Sequence, residues 1–206
     1  MKNKGLVFLG CVKLALLSMF LLSVSGCYVP RDPGNLEYAY DFYGLNLYPN
    51  KPVYLAHNIW YTDPMNISAL NYHSGKVIPF GSEIILLKAE KGYVLFRIQG
   101  SAQEYKIVNN RALTLLKDKD MYQQIFTQEG DPTLNFKEIG ATVLNDMKKG
   151  IVSLGMTREQ VLVTYGPAPK NINQLSEITW VYLINQQLKT THLVFKDDKI
   201  NYIFEN

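Results

Sequence analysis

Between Thr157 and the Gly166-Pro167 pair the chain has room for one short helix and nothing longer. Thr157 and Gln160 stand at capping-box spacing, so each side chain can satisfy an orphan backbone donor at the helix start. Met156 before the cap and Val161 inside it form a hydrophobic staple. Gly166 leaves the helix and Pro167 cannot continue it. Upstream, Asn135 and Glu138 have N-cap and N3 spacing. Phe136, Ile139, Val143, Leu144 and Met147 follow at three- and four-residue steps, the stripe of a first helix, with Gly150 as its C′ residue. Downstream, segments 178–184, 190–196 and 199–204 read as strands, the last two joined by the two-residue loop Asp197-Asp198. A register pairing Phe195 with Ile200, Leu193 with Tyr202 and Thr191 with Phe204 places those residues under the helices. His192, Val194, Asn201 and Ile203 then face away. The spacing thus predicts an α+β unit over about 134–206, two helices on a three-stranded antiparallel sheet.

Residues 53–110 read as β throughout. Segment 53–61 is rich in Val, Tyr, Ile and Trp. A turn at Tyr72-His73-Ser74-Gly75 precedes 76–81, and strands follow at 83–89, 93–99 and 104–108, with Lys91-Gly92 as a turn. Pro79 belongs at a strand start or edge. Five short strands without a helix predict a small antiparallel barrel or sandwich, SH3-like in scale, with the SH3-like barrel preferred. Asn110 can cap a helix over about 111–126, carrying Leu113, Leu116, Met121, Ile125 and Phe126, with an interruption at 118–120. The polar run 128–133 marks a boundary. The expected organisation is a β-rich domain with a C-terminal helix (53–127) followed by the ααβββ module (134–206).

The N-terminus carries an address. Lys2, Lys4 and Lys13, the apolar run 14–22 and then Val24-Ser25-Gly26-Cys27 follow the basic, apolar, small-residue order of a secretory signal. The apolar run is too short to span a bilayer. Residues 24–27 resemble a lipobox, so 1–26 is expected to be removed and Cys27 acylated. Several acyl chains together anchor stably where one gives marginal binding. Cys11 leaves with the leader, and no pair remains for a disulfide. The formal charge of +3 comes from 21 basic and 18 acidic residues. Removing the leader takes three lysines and no acid, leaving 18 of each. A balanced mature chain carries no footprint for nucleic acid. Tyr28, where aspartate would favour inner-membrane retention in lipoproteins of this kind, directs the expectation to the outer membrane, periplasmic side. Residues 27–52 form a tether. Its aromatics, Tyr38 to Tyr48, are too apolar for a free linker, so part of it is expected to pack on the body.

The run GMTREQVLVTYGPAP, the strand Trp180-Val181-Tyr182 and the hairpin LVFKDDKI at 193–200 resemble the small outer-membrane lipoproteins of the SmpA/OmlA (BamE-like) family, over about 134–206. Gly155, Met156, Thr157, Gln160, Val161, Gly166, Pro167, Trp180, Tyr182 and Phe195 fill the family's places. The resemblance implies a BamE-like module and a non-catalytic, protein-binding role in outer-membrane β-barrel protein assembly. The assembly machinery and phospholipid are the implied partners. Residues 53–127 have no counterpart in the minimal family member, and the turn reads Gly-Pro-Ala-Pro rather than Gly-x-Pro. The alternative is an envelope structural or interaction lipoprotein, an inhibitor-like binding module unrelated to that machinery, since one small fold serves several binding roles.

Nothing in the sequence demands catalysis, a metal or a cofactor. His57, His73 and His192 have no metal-ligand spacing and no cysteine to help them. They are expected to be exposed or singly satisfied. The segment 71–75 is the one place that resembles a catalytic grouping, but a Ser beside a His in sequence is not a nucleophile–base pair. Tyr72, His73 and His192 are candidate partner-binding residues. Asp118 and Asp120 are expected to be exposed turn carboxylates, as are Asp197 and Asp198. Trp180 and Tyr182 share a strand face and either pack inside or anchor a partner.

Overall fold

A computed structural model describes residues 47–48, 51–173 and 178–206. The leader 1–26, Cys27 and most of the tether lie outside the described residues. The described residues all belong to one compact unit, so the β-rich segment and the helix-sheet module are parts of a single body.

The fold is α+β. The β-rich half has strands β1 (Val53–Leu55), β2 (Ile59–Tyr61), β3 (Ile67–Ser68), β4 (Lys76–Ile78), β5 (Glu83–Glu90), β6 (Tyr93–Ile98) and β7 (Glu104–Val108). Helices α1 (Arg111–Thr114) and α2 (Asp118–Ile125) follow, then β8 (Phe126–Thr127). Six strands form one curled sheet in the order β3-β7-β6-β5-β1-β8, while β2 and β4 pair separately. Two expectations are corrected. The sheet curls without closing among the described residues. Its pairing is also not wholly antiparallel, because β3 runs parallel to β7, Ile67 opposite Ile107. The chain enters β3 from Pro64, whose carbonyl accepts the Lys106 amide, and leaves it with the Ala69 amide on Val108.

Strand 5 shows how the core is reached. Ile84 and Leu86 point inward, Leu87 is an extra residue in the β5–β6 ladder, and Ala89 then takes the inward place. Such a bulge swaps the faces of everything beyond it. The α1–α2 region is one expected helix split in two. Asn110 caps α1, and Leu115 in the left-handed region ends it at φ 56°. Met121, Tyr122 and Ile125 of α2 join Val94, Phe96 and Ile107 in one core.

Asp118 corrects the exposed-turn expectation. It is 2% exposed and accepts from Arg111 (2.6 Å), Asn109 (2.8 Å) and the Gly92 amide (3.1 Å). Burial alone would push its carboxyl up, but Arg111, Asn109 and the Gly92 amide together hold it below its ordinary value.

The C-terminal half begins with a 3₁₀ turn, Pro132–Phe136, capped by Asp131. Helix α3 is Ala141–Lys148, α4 is Arg158–Tyr165, and β9 (Thr179–Leu183), β10 (Thr190–Lys196) and β11 (Lys199–Glu205) form the antiparallel order β11-β10-β9. Asn135 and Glu138 do not start α3; Gly140 at φ 86° does. Phe136 and Met147 are buried all the same, while Val143 is exposed. Helix α4 has the full capping box, with the Thr157 amide donating to Gln160 (2.9 Å) and the Gln160 amide to Thr157 (3.3 Å).

The hairpin register is half as expected. Asp197 and Asp198 both have positive φ, the two-residue turn that matches strand twist, and Phe195 faces Ile200. Beyond them Asn201 is an extra residue, so Val194 faces Tyr202, Leu193 faces Ile203 and His192 faces Phe204. Tyr202 and Phe204 therefore leave the helix-covered face, at 65% and 49% exposed.

Candidate interaction surfaces

Two regions concentrate the residues singled out in the sequence. One is the seam between the two halves, the other the outer face of the terminal sheet.

The seam is organised by Asn58. An Asn inside a β-rich run is disfavoured as a strand residue, and here it separates β1 from β2. Its amide nitrogen donates to the carbonyls of Met147 (2.7 Å) and Thr164 (2.9 Å), at the ends of α3 and α4. Its side-chain oxygen accepts the Phe80 amide at 2.8 Å, and its own backbone amide donates to the Val163 carbonyl. Asn71 adds a second bridge, donating to the carbonyls of Asn58 (2.9 Å) and Tyr165 (3.3 Å) and accepting the Trp60 amide (3.0 Å). Helix C-termini leave carbonyls without intrahelical partners. In this protein the β-rich half supplies donors to four such carbonyls, those of Met147, Val163, Thr164 and Tyr165.

Aromatic rings close around these bonds. His73 lies 4.3 Å from Trp60, 4.0 Å from Tyr165 and 5.2 Å from Tyr182, centre to centre. Its Nε2 meets the Tyr165 carbonyl at 3.1 Å, and its backbone amide donates to the Leu183 carbonyl at 3.0 Å. A carbonyl partner requires Nε2 to carry the proton, so Nδ1 is a bare acceptor, shut from solvent and without a partner. His57 is buried with Nδ1 2.9 Å from the Asn58 carbonyl, which fixes the opposite tautomer. Burial lowers His57 to about 4 and His73 to about 3, His57 adding to the effect on His73. Both are neutral near pH 7. Of the two states expected for these histidines, exposed or singly satisfied, the structure has the second for both, in buried surroundings. Tyr182 is buried and donates to the Gly166 carbonyl (3.1 Å). Burial raises it strongly, and raises Tyr165 to about 12.

Two glycines make the fit possible. The Trp60 ring occupies the space a Gly150 side chain would need, and the His57 ring lies where a Gly166 side chain would go. Both glycines also have positive φ, 77° and 82°.

The residues that carry the sequence resemblance fall mostly into structure. Met156, Val161 and Phe195 are buried in the second core. Gly155 donates to the Ile200 carbonyl (2.8 Å), and the Met156 carbonyl accepts the Ile200 amide (2.8 Å). Trp180 is half-buried between Phe195, 4.7 Å away, and the Arg158 guanidinium at 5.1 Å. Pro167 lines a cavity of about 60 Å3 with Ile59, Leu70, Leu116 and His57. Tyr72 stands at a separate cleft, and His73 is built into the seam.

His192 belongs to the outer sheet face. It stacks on Phe204 (4.6 Å, 15° between planes), and its Nε2 lies 3.0 Å from the Thr190 hydroxyl. Val194 and Tyr202 share that face. Strand β11 is at the sheet edge, and past Ile200 no backbone group on its outer side has a partner among the described residues.

Sequence reasoning missed Asn58, Trp60, Asn71 and Tyr165. The one local signal was Asn58 itself, a side chain with donor and acceptor inside an apolar run. Among the described residues, no three of His, Cys, Asp and Glu converge as a metal site, and no helix is long and apolar enough to cross a membrane. Comparison with protein-family models, curated proteins and solved structures finds no match for this chain.

Proposed function

We propose that this chain is a non-catalytic lipoprotein of the bacterial outer membrane, held by acyl chains on Cys27 with its body on the periplasmic side, and that it binds envelope proteins. The observation that carries the reading is the outer face of β10–β11. Tyr202 and Phe204 lie there in the open on the edge strand β11, beside the half-buried His192 and Val194 of the central strand β10. Exposed aromatics beside an unpaired edge are the chemistry of a protein partner, because such an edge invites pairing. The leader and the lipobox support the location. The helix-sheet module is read as BamE-like, and the curled sheet before it as an SH3-like half-barrel. That likeness makes the β-barrel assembly machinery the partner to test first.

The test is co-purification after mild detergent extraction, with the wild-type chain beside Tyr202→Glu and Phe204→Glu. The reading expects assembly components with the wild type, their loss from both variants, and reduced outer-membrane protein levels on gene deletion. Recovery of no assembly component, together with unchanged outer-membrane protein levels, rejects the assembly role. Mass spectrometry finding an unmodified Cys27 rejects the anchor. Removing 53–127 is not a clean test of the β-rich half, since it also removes Asn58, Trp60 and His73 from the seam.

A further inference from the structure

A cleft of about 470 Å3 opens between the end of β2 and the β9–β10 connection. Its size lies within the range of small-ligand sites, about 300–1,000 Å3. Neither half makes it alone. Tyr61, Asn66 and Tyr72 come from the β-rich half, and Asn185, Gln186 and Gln187 from the terminal sheet's loop.

The lining is chemically narrow. It contains hydroxyls, carboxamides and aromatic rings, and no Asp, Glu, Lys, Arg or His. The side chains of Asn66, Tyr72, Gln186 and Gln187 make no hydrogen bond among the described residues, so their polar groups are available to a ligand. The backbone beneath them is held in place. Tyr72 sits between Asn71, which is tied to Asn58, Trp60 and Tyr165, and His73, whose amide donates to Leu183. The Asn185 carboxamide oxygen accepts the Gln187 amide (2.9 Å) and the Lys189 amide (3.3 Å), which closes the loop around itself. The Asn66 amide donates to the Asp63 carbonyl at 3.2 Å. Groups fixed before binding lose less freedom on binding.

We propose that this cleft binds a neutral saccharide. A charged ligand would shed water there without meeting a countercharge, which is costly. An apolar ligand would leave the carboxamides unpaired. A sugar ring fits both features, since each hydroxyl donates and accepts as a carboxamide does. Its C–H face is apolar and packs on a tyrosine ring. Neither Cys27 nor the outer face of β10–β11 enters.

The full chain, kept in a zwitterionic detergent free of sugar, is titrated with triacetylchitotriose and with cellotriose. Binding is followed by calorimetry and by saturation transfer from protein to sugar protons. At least one sugar is expected to bind with millimolar affinity or better. Tyr72→Ala and Gln187→Ala, both of partly open side chains, are expected to weaken it about tenfold or more with the thermal unfolding midpoint unchanged. Absence of transfer to either sugar in the wild-type chain overturns the proposal. So does transfer that both variants leave intact, or an uncharged Gly/Ser peptide that displaces the bound sugar at lower concentration.

Discussion

His73 and His192 are the same residue in opposite circumstances. His73 is enclosed by Trp60, Tyr165 and Tyr182, with one nitrogen on a carbonyl and the other without a partner. His192 lies flat against the half-exposed Phe204 on an open sheet face. The first region is over-determined: remove one group and several others lose their partners. The second is under-determined, because its aromatics touch little within this chain. A seam of the first kind holds two halves as one body. A face of the second kind contributes little to stability and is therefore free to serve binding. The contrast can be broken by finding a fragile outer face or a tolerant seam.

The largest effect is expected at Asn58. Asn58→Ala leaves the Thr164 carbonyl and the Phe80 amide without a partner, while the Met147 carbonyl keeps the Gly150 amide. At about 1–3 kcal/mol for each buried group left unpaired, the loss is on the order of 4 kcal/mol. Chemical denaturation checks it. A change below about 1 kcal/mol would mean that the seam does not hold the halves together.

Next is Gly150→Ala. The added methyl meets the Trp60 ring, and φ 77° is strained for any side chain. Overpacking and backbone strain each cost about 1–3 kcal/mol, so a loss of about 3 kcal/mol is expected. Gly155→Ala is the control, for it has positive φ but nothing near its missing Cβ. The difference between the two variants isolates the contact with Trp60.

What was legible in the sequence was local. The capping box at Thr157 and Gln160, the stop at Gly166 and the Asp197-Asp198 turn involve neighbours within a few residues, and the structure has all three. Asn58 reaches Met147 and Thr164, 89 and 106 residues away, and no periodicity reports such a pairing. The Asn201 bulge was hidden for a different reason. Alternation in 199–205 fits two registers equally well, and only the packing of Leu193 and Ile200 under the helices, with the Ile200–Met156 pairing, selects one. Gly140 was outranked by a good apolar stripe, although its positive φ is what delays α3 until Ala141. Trp180 and Tyr182 were read correctly as one face. The depth of Tyr182 and the partial cover of Trp180 depend on Arg158 and Gly166, which only the fold brings near.

Acid should expose the seam without touching the outer face. His57 and His73 titrate near 6.5 when unfolded and at about 4 and about 3 when folded, so the unfolded chain binds more protons below pH 6.5. Stability therefore falls as pH drops from about 6.5 toward 3 and is insensitive to these groups above 7. His57 alone accounts for about 3 kcal/mol by pH 4, and His73 adds a loss of the same sign. Urea titrations across that range, repeated on His57→Gln, provide the check. An unchanged pH slope in the variant would show that His57 is not held neutral by burial.

The smallest stability effect is expected where binding is proposed. Tyr202→Ser and Phe204→Ser remove rings that are 65% and 49% exposed, so little apolar area returns to water. Each should cost less than about 1 kcal/mol, as for surface positions in general. The bulge makes this sharper than a plain surface argument. Tyr202 and Phe204 alternate with Ile203, which lies on the helix-covered side at 36% exposed. Ile203→Ser, from a less exposed position, should therefore cost more than Phe204→Ser, although phenylalanine has the larger side chain. If thermal unfolding ranks them the other way, β11 runs without its extra residue at Asn201. The aromatics would then point under the helices, and the face proposed for a partner would not exist.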